Sequence, residues 1–108
     1  MDIKHLQYVL AIAKYKNLSY AARNLFITQP ALSHQLNAIE KELGEKLFIR
    51  STHSVEITEA GLIFCEHASE VLAAMDRLYD AFDSGESGMR HSISLGLFPF
   101  FRYTPVNK

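Results

Sequence analysis

From Thr58 to Ser84 the chain contains no proline, is rich in alanine, leucine and glutamate, and repeats apolar residues every seven positions. Gly61, Ala68, Met75 and Phe82 form one row, Phe64, Val71 and Leu78 interleave with it, and Cys65, Leu72 and Tyr79 flank it. Such spacing is that of a coiled-coil seam. Thr58 is a suitable N-cap and Glu59 suits the first turn, where the helix macrodipole favours negative charge. A helix over 59–84 would measure about 40 Å at 1.5 Å per residue. The 58 residues before it are too few to cover both the seam and its flanks, so part of the helix is expected to meet another chain. Self-association through Phe64, Ala68, Val71, Leu72, Met75, Leu78, Tyr79 and Phe82 is the economical outcome.

Residues 1–58 read as three short helices followed by a hairpin. Asp2 is a fair N-cap for a first helix in which Ile3, Leu6, Leu10 and Ala13 share one face, and Lys16-Asn17 ends it. Ser19 is the expected N-cap of a second helix about two turns long, whose Ala21 and Ala22 permit close packing. Thr28 caps a third, with Pro30 in the first turn, where a missing N–H does no harm. That helix runs to about Glu42, with Leu32, Leu36 and Ile39 on a narrow core-facing stripe. Gly44 supplies its C-cap, and Lys46–Arg50 and Val55–Ile57 look like two strands around Ser51-Thr52-His53-Ser54. The loop holds neither Gly nor Asn, so its turn chemistry gives the hairpin little support. The fold class is therefore mainly α, a winged helix-turn-helix with a short β-hairpin wing followed by a long dimerisation helix.

Composition bounds what such a chain does. A formal net charge of −1 gives no bulk attraction to polyanions. The sum hides unlike parts: residues 1–58 carry seven basic and five acidic side chains, residues 59–88 one and seven, and residues 89–108 three and none. The single cysteine, Cys65, excludes an internal disulfide framework and is most simply a residue of the seam or its flank. The five histidines form no metal-ligand pair at helical spacing, and neither a phosphate-binding glycine loop nor a nucleophile elbow is present, so no catalytic residue and no metal ligand is assigned. No stretch approaches the ~20 apolar residues of a membrane span and the start carries no signal-peptide pattern, so a cytoplasmic protein is expected.

The third helix carries the functional signal. Opposite its apolar stripe lie Pro30, Ser33, His34, Asn37 and Lys41, short and polar for the most part, as a helix entering a major groove requires. Asn37, Gln29 and Gln35 have the donor and acceptor pair that matches adenine, and Ser33 suits a base or a phosphate. A solvated polar face accounts for the same pattern. The hydroxyls of Ser19 and Thr28 suit a cap, a phosphate, or both. Arg50, at the entry to the wing, suits either a backbone phosphate or a surface ion pair with Glu45 or Glu56.

Four stretches taken together, Leu18-Ser19-Tyr20-Ala21-Ala22, Ile27-Thr28-Gln29-Pro30-Ala31-Leu32-Ser33, Leu43-Gly44-Glu45-Lys46-Leu47-Phe48-Ile49-Arg50 and Ile57-Thr58-Glu59-Ala60-Gly61, resemble the amino-terminal domain of the LysR-type transcriptional regulators. The resemblance covers about residues 1–88. It implies a winged helix-turn-helix at 1–58 that binds double-stranded promoter DNA as a homodimer, with Gln29 to Lys41 as recognition helix and residues 50–55 as wing. It also implies a linker and dimerisation helix at 59–84 and a hinge at 85–90. Residues 91–108 would be the first strand of an inducer-binding domain otherwise missing from the chain. A small-molecule inducer is expected for that domain and no cofactor for this fragment; pairing of dimers into tetramers stays open. Ser19, Thr28, Gln29, Pro30, Ser33, His34, Gln35, Asn37, Arg50 and His53 are the expected DNA-binding residues. His34 stands where relatives usually carry Arg or Lys, and the wing lacks their usual glycine and basic residues. Non-specific binding should therefore be weak, with a shallow salt slope, and should strengthen as the pH falls from about 7.5 to 6 if the histidines face phosphates. The alternative is a winged-helix protein-interaction module without DNA binding, for which the sparse positive charge argues.

Overall fold

The computed structural model describes residues 1–52 and 54–83. In chain order they form α1 (Ile3–Tyr15), α2 (Leu18–Asn24), α3 (Gln29–Leu43), β1 (Phe48–Arg50), β2 (Val55–Ile57) and α4 (Glu59–Phe82). Two units result, Met1–Ala68 and Ser69–Lys108, with the boundary inside α4. His53, the expected hinge at 85–90 and the expected strand at 91–108 lie outside the described residues.

In the first unit α1 packs against α2, α3 and β2. This explains why its burial does not follow the single stripe Ile3, Leu6, Leu10 and Ala13. Val9, Leu10, Ala11 and Ile12 are all buried in succession, because neighbours cover the helix on more than one side. Ala21 and Ala22 are buried on α2, and Leu32, Leu36 and Ile39 on α3, as their spacing predicts. Each large side chain of this set contributes about 1.5–3 kcal/mol of apolar burial. Leu47, Phe48 and Val55 extend the core under the hairpin.

The helix ends correct the expectations in detail. Asn17, not Ser19, is the N-cap of α2: its Oδ1 accepts from the Tyr20 N–H at 2.7 Å, and Ser19 sits exposed within the first turn. The α2–α3 turn closes with Phe26 N–H to the Arg23 carbonyl at 3.2 Å and Ile27 N–H to the Ala22 carbonyl at 3.0 Å. That pair of bonds is a Schellman ending, with Phe26 held at a φ of 63° in the left-handed region that glycine usually fills. Thr28 caps α3 through the Ala31 N–H and Gly44, at a φ of 73°, is its C-cap, both as expected, with the helix running to Leu43, one residue past about Glu42. At the far end of α4, which spans Glu59–Phe82, the Asp83 N–H bonds to the Asp80 carbonyl at 3.2 Å.

The two strands pair antiparallel, Phe48 with Ile57, Ile49 with Glu56 and Arg50 with Val55. The first is shorter than the expected Lys46–Arg50, and the Leu47 N–H before it is bonded to the Glu40 carboxylate. Serines supply the turn chemistry that the loop seemed to lack: Ser51 N–H and Oγ both bond to the Ser54 carbonyl, at 2.9 and 3.1 Å.

In the second unit, α4 from Ser69 onward buries Leu72 and exposes Val71, Leu78, Tyr79 and Phe82. Ala68 and Leu72 are 3% and 2% exposed within the single chain. Along the seven-residue pattern, Ala68 and Leu72 are buried whereas Val71, Leu78 and Phe82 are exposed. Phe64 and Met75 are half-buried at the rim.

Candidate nucleic-acid interface

The surface of interest is the outer side of α3 with the strand end at Arg50. Thr28 fixes where α3 starts, and Leu32, Leu36 and Ile39 fix its rotation by anchoring the inner side. Pro30, Ala31, His34, Asn37, Ala38 and Lys41 are thereby left exposed, and Gln29 and Ser33 half-buried. Gln29 Nε2 lies 3.0 Å from Ser33 Oγ, so these two support one another across one helical turn.

Gln35 belongs elsewhere. Its Oε1 lies 3.0 Å from His5 Nε2, while His5 Nδ1 accepts from the Asp2 N–H at 3.0 Å. Because Nδ1 is the acceptor, Nε2 carries the proton and donates to Gln35. Gln35 thus ties α3 to the capping box of α1. The cause is rotational: Gln35 lies next to the inner stripe, within reach of α1.

Arg50 meets neither Glu45 nor Glu56. Its Nη2 donates to Asn37 Oδ1 at 2.9 Å, joining the hairpin to the exposed side of α3. Ser19 is exposed on α2, and its hydroxyl is free of the capping role assigned to it from sequence. His53 lies outside the described residues.

One supporting residue, Glu40, has no place in the sequence reading, and another, Thr58, has a second role beyond the expected cap. Glu40 is 6% exposed, and its Oε2 accepts from the N–H groups of Leu47 and Phe48 at 2.8 and 3.3 Å, which hangs the hairpin from α3. Its position four residues after Leu36, on the apolar side, was the available signal. Thr58 does more than cap α4 through the Gly61 N–H at 3.0 Å: its hydroxyl also donates to the Lys46 carbonyl at 2.6 Å. Among the described residues no cluster of three or more His, Cys, Asp or Glu is placed to hold a metal, and no helix is long and apolar enough to cross a membrane. Cys65 is half-buried, and desolvation pushes its thiol up to about 11.

Residues 3–62 match the family model described as the bacterial regulatory helix-turn-helix protein of the lysR family. The HTH-type transcriptional regulator BudR of Klebsiella aerogenes is 37% identical over 97 residues, covering 90% of this chain and 68% of its own length. The regulator TfdT of Cupriavidus pinatubonensis is 36% identical over 109 residues, covering 98% of this chain, which spans 47% of that relative. Among solved structures, that of the CbnR DNA-binding domain with DNA superposes with a TM-score of 0.73 at 34% identity, over 78% of this chain and 97% of that one.

Proposed function

Since the chain belongs to the lysR family of bacterial helix-turn-helix regulators, we propose that it is the sequence-specific DNA-binding part of a transcriptional regulator that grips promoter DNA as a homodimer. The observation that carries this reading is the outer side of α3, where compact polar groups follow a capped helix start and are flanked by the guanidinium of Arg50. Such a helix fits the major groove of about 12 Å, with its first turns toward the base edges. The similarity to a DNA-binding domain solved in complex with DNA supports the DNA-binding reading.

In this reading Ser33 and Asn37 contact base edges, and Gln29 and Pro30 fill the tip of the helix. Thr28, Ser19 and the remaining N–H donors of Arg50 hold phosphates, which sets the orientation of the domain without reading sequence. The open face of α4, with Val71, Leu78, Tyr79 and Phe82, is the surface for the second copy. The chemistry is recognition and not catalysis, and a small-molecule inducer would act through a further domain of the full regulator. The site of action is the bacterial cytoplasm.

A gel shift of a genomic fragment library at low salt, with random DNA as competitor, tests the proposal. Retention of particular fragments against excess competitor is expected. Equal retention of all fragments, or of none, refutes it.

A further inference from the structure

The contact between Arg50 and Asn37 bears on which base the helix reads. Arg50 Nη2 lies 2.9 Å from the Asn37 side-chain oxygen, and both residues are exposed. The assignment of that oxygen follows from chemistry: a guanidinium has donors only, so the atom of Asn37 that faces it must be the carbonyl oxygen. Pairing an asparagine with adenine requires that same oxygen to accept from the adenine N6 amino group while the amide nitrogen donates to N7. Here the oxygen already accepts from a charged donor, a bond stronger than a neutral one. It keeps a second lone pair, but the neighbouring guanidinium N–H groups repel an incoming amino group. What Asn37 offers a base is then its amide N–H donors. The complement is guanine, whose major-groove edge carries the acceptors O6 and N7 and no donor.

Resting on the DNA-binding reading above, we infer that Arg50 is a specificity-determining residue acting through Asn37. By holding the Asn37 oxygen it turns Asn37 into a donor-only reader that selects guanine and rejects adenine at one position of the bound site. The hairpin thereby edits the code of the helix it stands beside, in addition to any grip on phosphate.

The experiment selects binding sites from a random duplex library with the 108-residue chain. Affinity is then measured for all four base pairs at each position of the selected site, at fixed salt, for the unchanged protein, Asn37→Ala, Arg50→Ala and the double variant. Neither truncation removes a core side chain, so folding is not at stake. The diagnostic position is the one whose preference Asn37→Ala erases. There the unchanged protein is expected to favour guanine over adenine about tenfold, the scale of one well-made base contact. Arg50→Ala should weaken every site and also collapse or reverse that ratio, whereas in the Asn37→Ala background it should leave the ratio unchanged. A preference for adenine in the unchanged protein, or a uniform loss in Arg50→Ala with the ratio intact, overturns the inference while leaving DNA binding in place. Failure of the unchanged protein to select any sequence overturns the DNA-binding reading and this inference with it.

Discussion

Removing the Glu40 carboxylate should cost far more than its place on a surface helix suggests. Glu40 Oε2 accepts the Leu47 and Phe48 N–H groups at 2.8 and 3.3 Å, and Oε1 lies 3.6 Å from Lys46 Nζ. The carboxylate is buried, whereas the Lys46 side chain is 75% exposed. Glu40→Ala leaves two backbone donors under the hairpin without an acceptor, at about 1–3 kcal/mol each before relaxation. We expect a net loss of about 3 kcal/mol, a large share of the stability of a domain this size. Glu40→Gln keeps one oxygen and loses the charge, so about half that loss is expected. Lys46→Ala removes only an exposed ion pair and should cost under about 0.5 kcal/mol. Urea unfolding followed by circular dichroism at constant protein concentration measures all three. With a slope of about 1–3 kcal/mol/M for a small domain, Glu40→Ala should lower the midpoint by about 1–3 M. A midpoint for Glu40→Ala no lower than that of Lys46→Ala would refute the view that the carboxylate works by holding backbone donors.

Three further outcomes are expected. Gly61→Ala would set its Cβ against the Leu47 carbonyl oxygen and 2.6 Å from Ile57 Cγ1; the helix-propensity gain of about 1 kcal/mol is outweighed by displacement of that carbonyl, and a melting temperature that rises contradicts this. Cys65, with its thiol pushed up to about 11 from 9.0, stays protonated near neutrality, so iodoacetamide at pH 8 should modify the folded chain at least tenfold more slowly than the urea-unfolded one. Between those two values the unfolded chain loses the proton that the folded chain keeps, so stability falls as pH rises through the window; equal alkylation rates count against the burial argument. Leu78→Glu, on the open face of α4, should convert a dimer to a monomer in light scattering, while Leu72→Ala should lower stability by about 2–5 kcal/mol; a dimer untouched by Leu78→Glu removes that face from the interface.

The elements that local chemistry specifies were legible before the fold was known. Thr28 and Gly44 bracket α3, Thr58 starts α4, and Leu32, Leu36 and Ile39 set the buried side of α3. Less legible was any choice between neighbouring residues of equal aptitude. Asn17 and Ser19 are both good caps, and the structure takes Asn17, which places the half-buried Leu18 at the first helical position. Heptad spacing marks α4 as apolar, but a period of seven does not say which of its rows are buried, as Ala68 and Leu72 are, and which exposed, as Val71 and Leu78 are.

The candidate site divides in the same way. Residue identity and helical period determined that α3 would present Pro30, Ser33, His34 and Asn37 away from its apolar stripe, since both depend on neighbours three and four positions apart. Only the tertiary structure decided that Gln35 answers to His5, that Glu40 carries the hairpin, and that Arg50 bonds to Asn37 and not to an acid. Each of these joins parts of the fold seven to thirty positions apart. Periodicity along a chain cannot specify a contact whose partners meet only once helices and hairpin have packed.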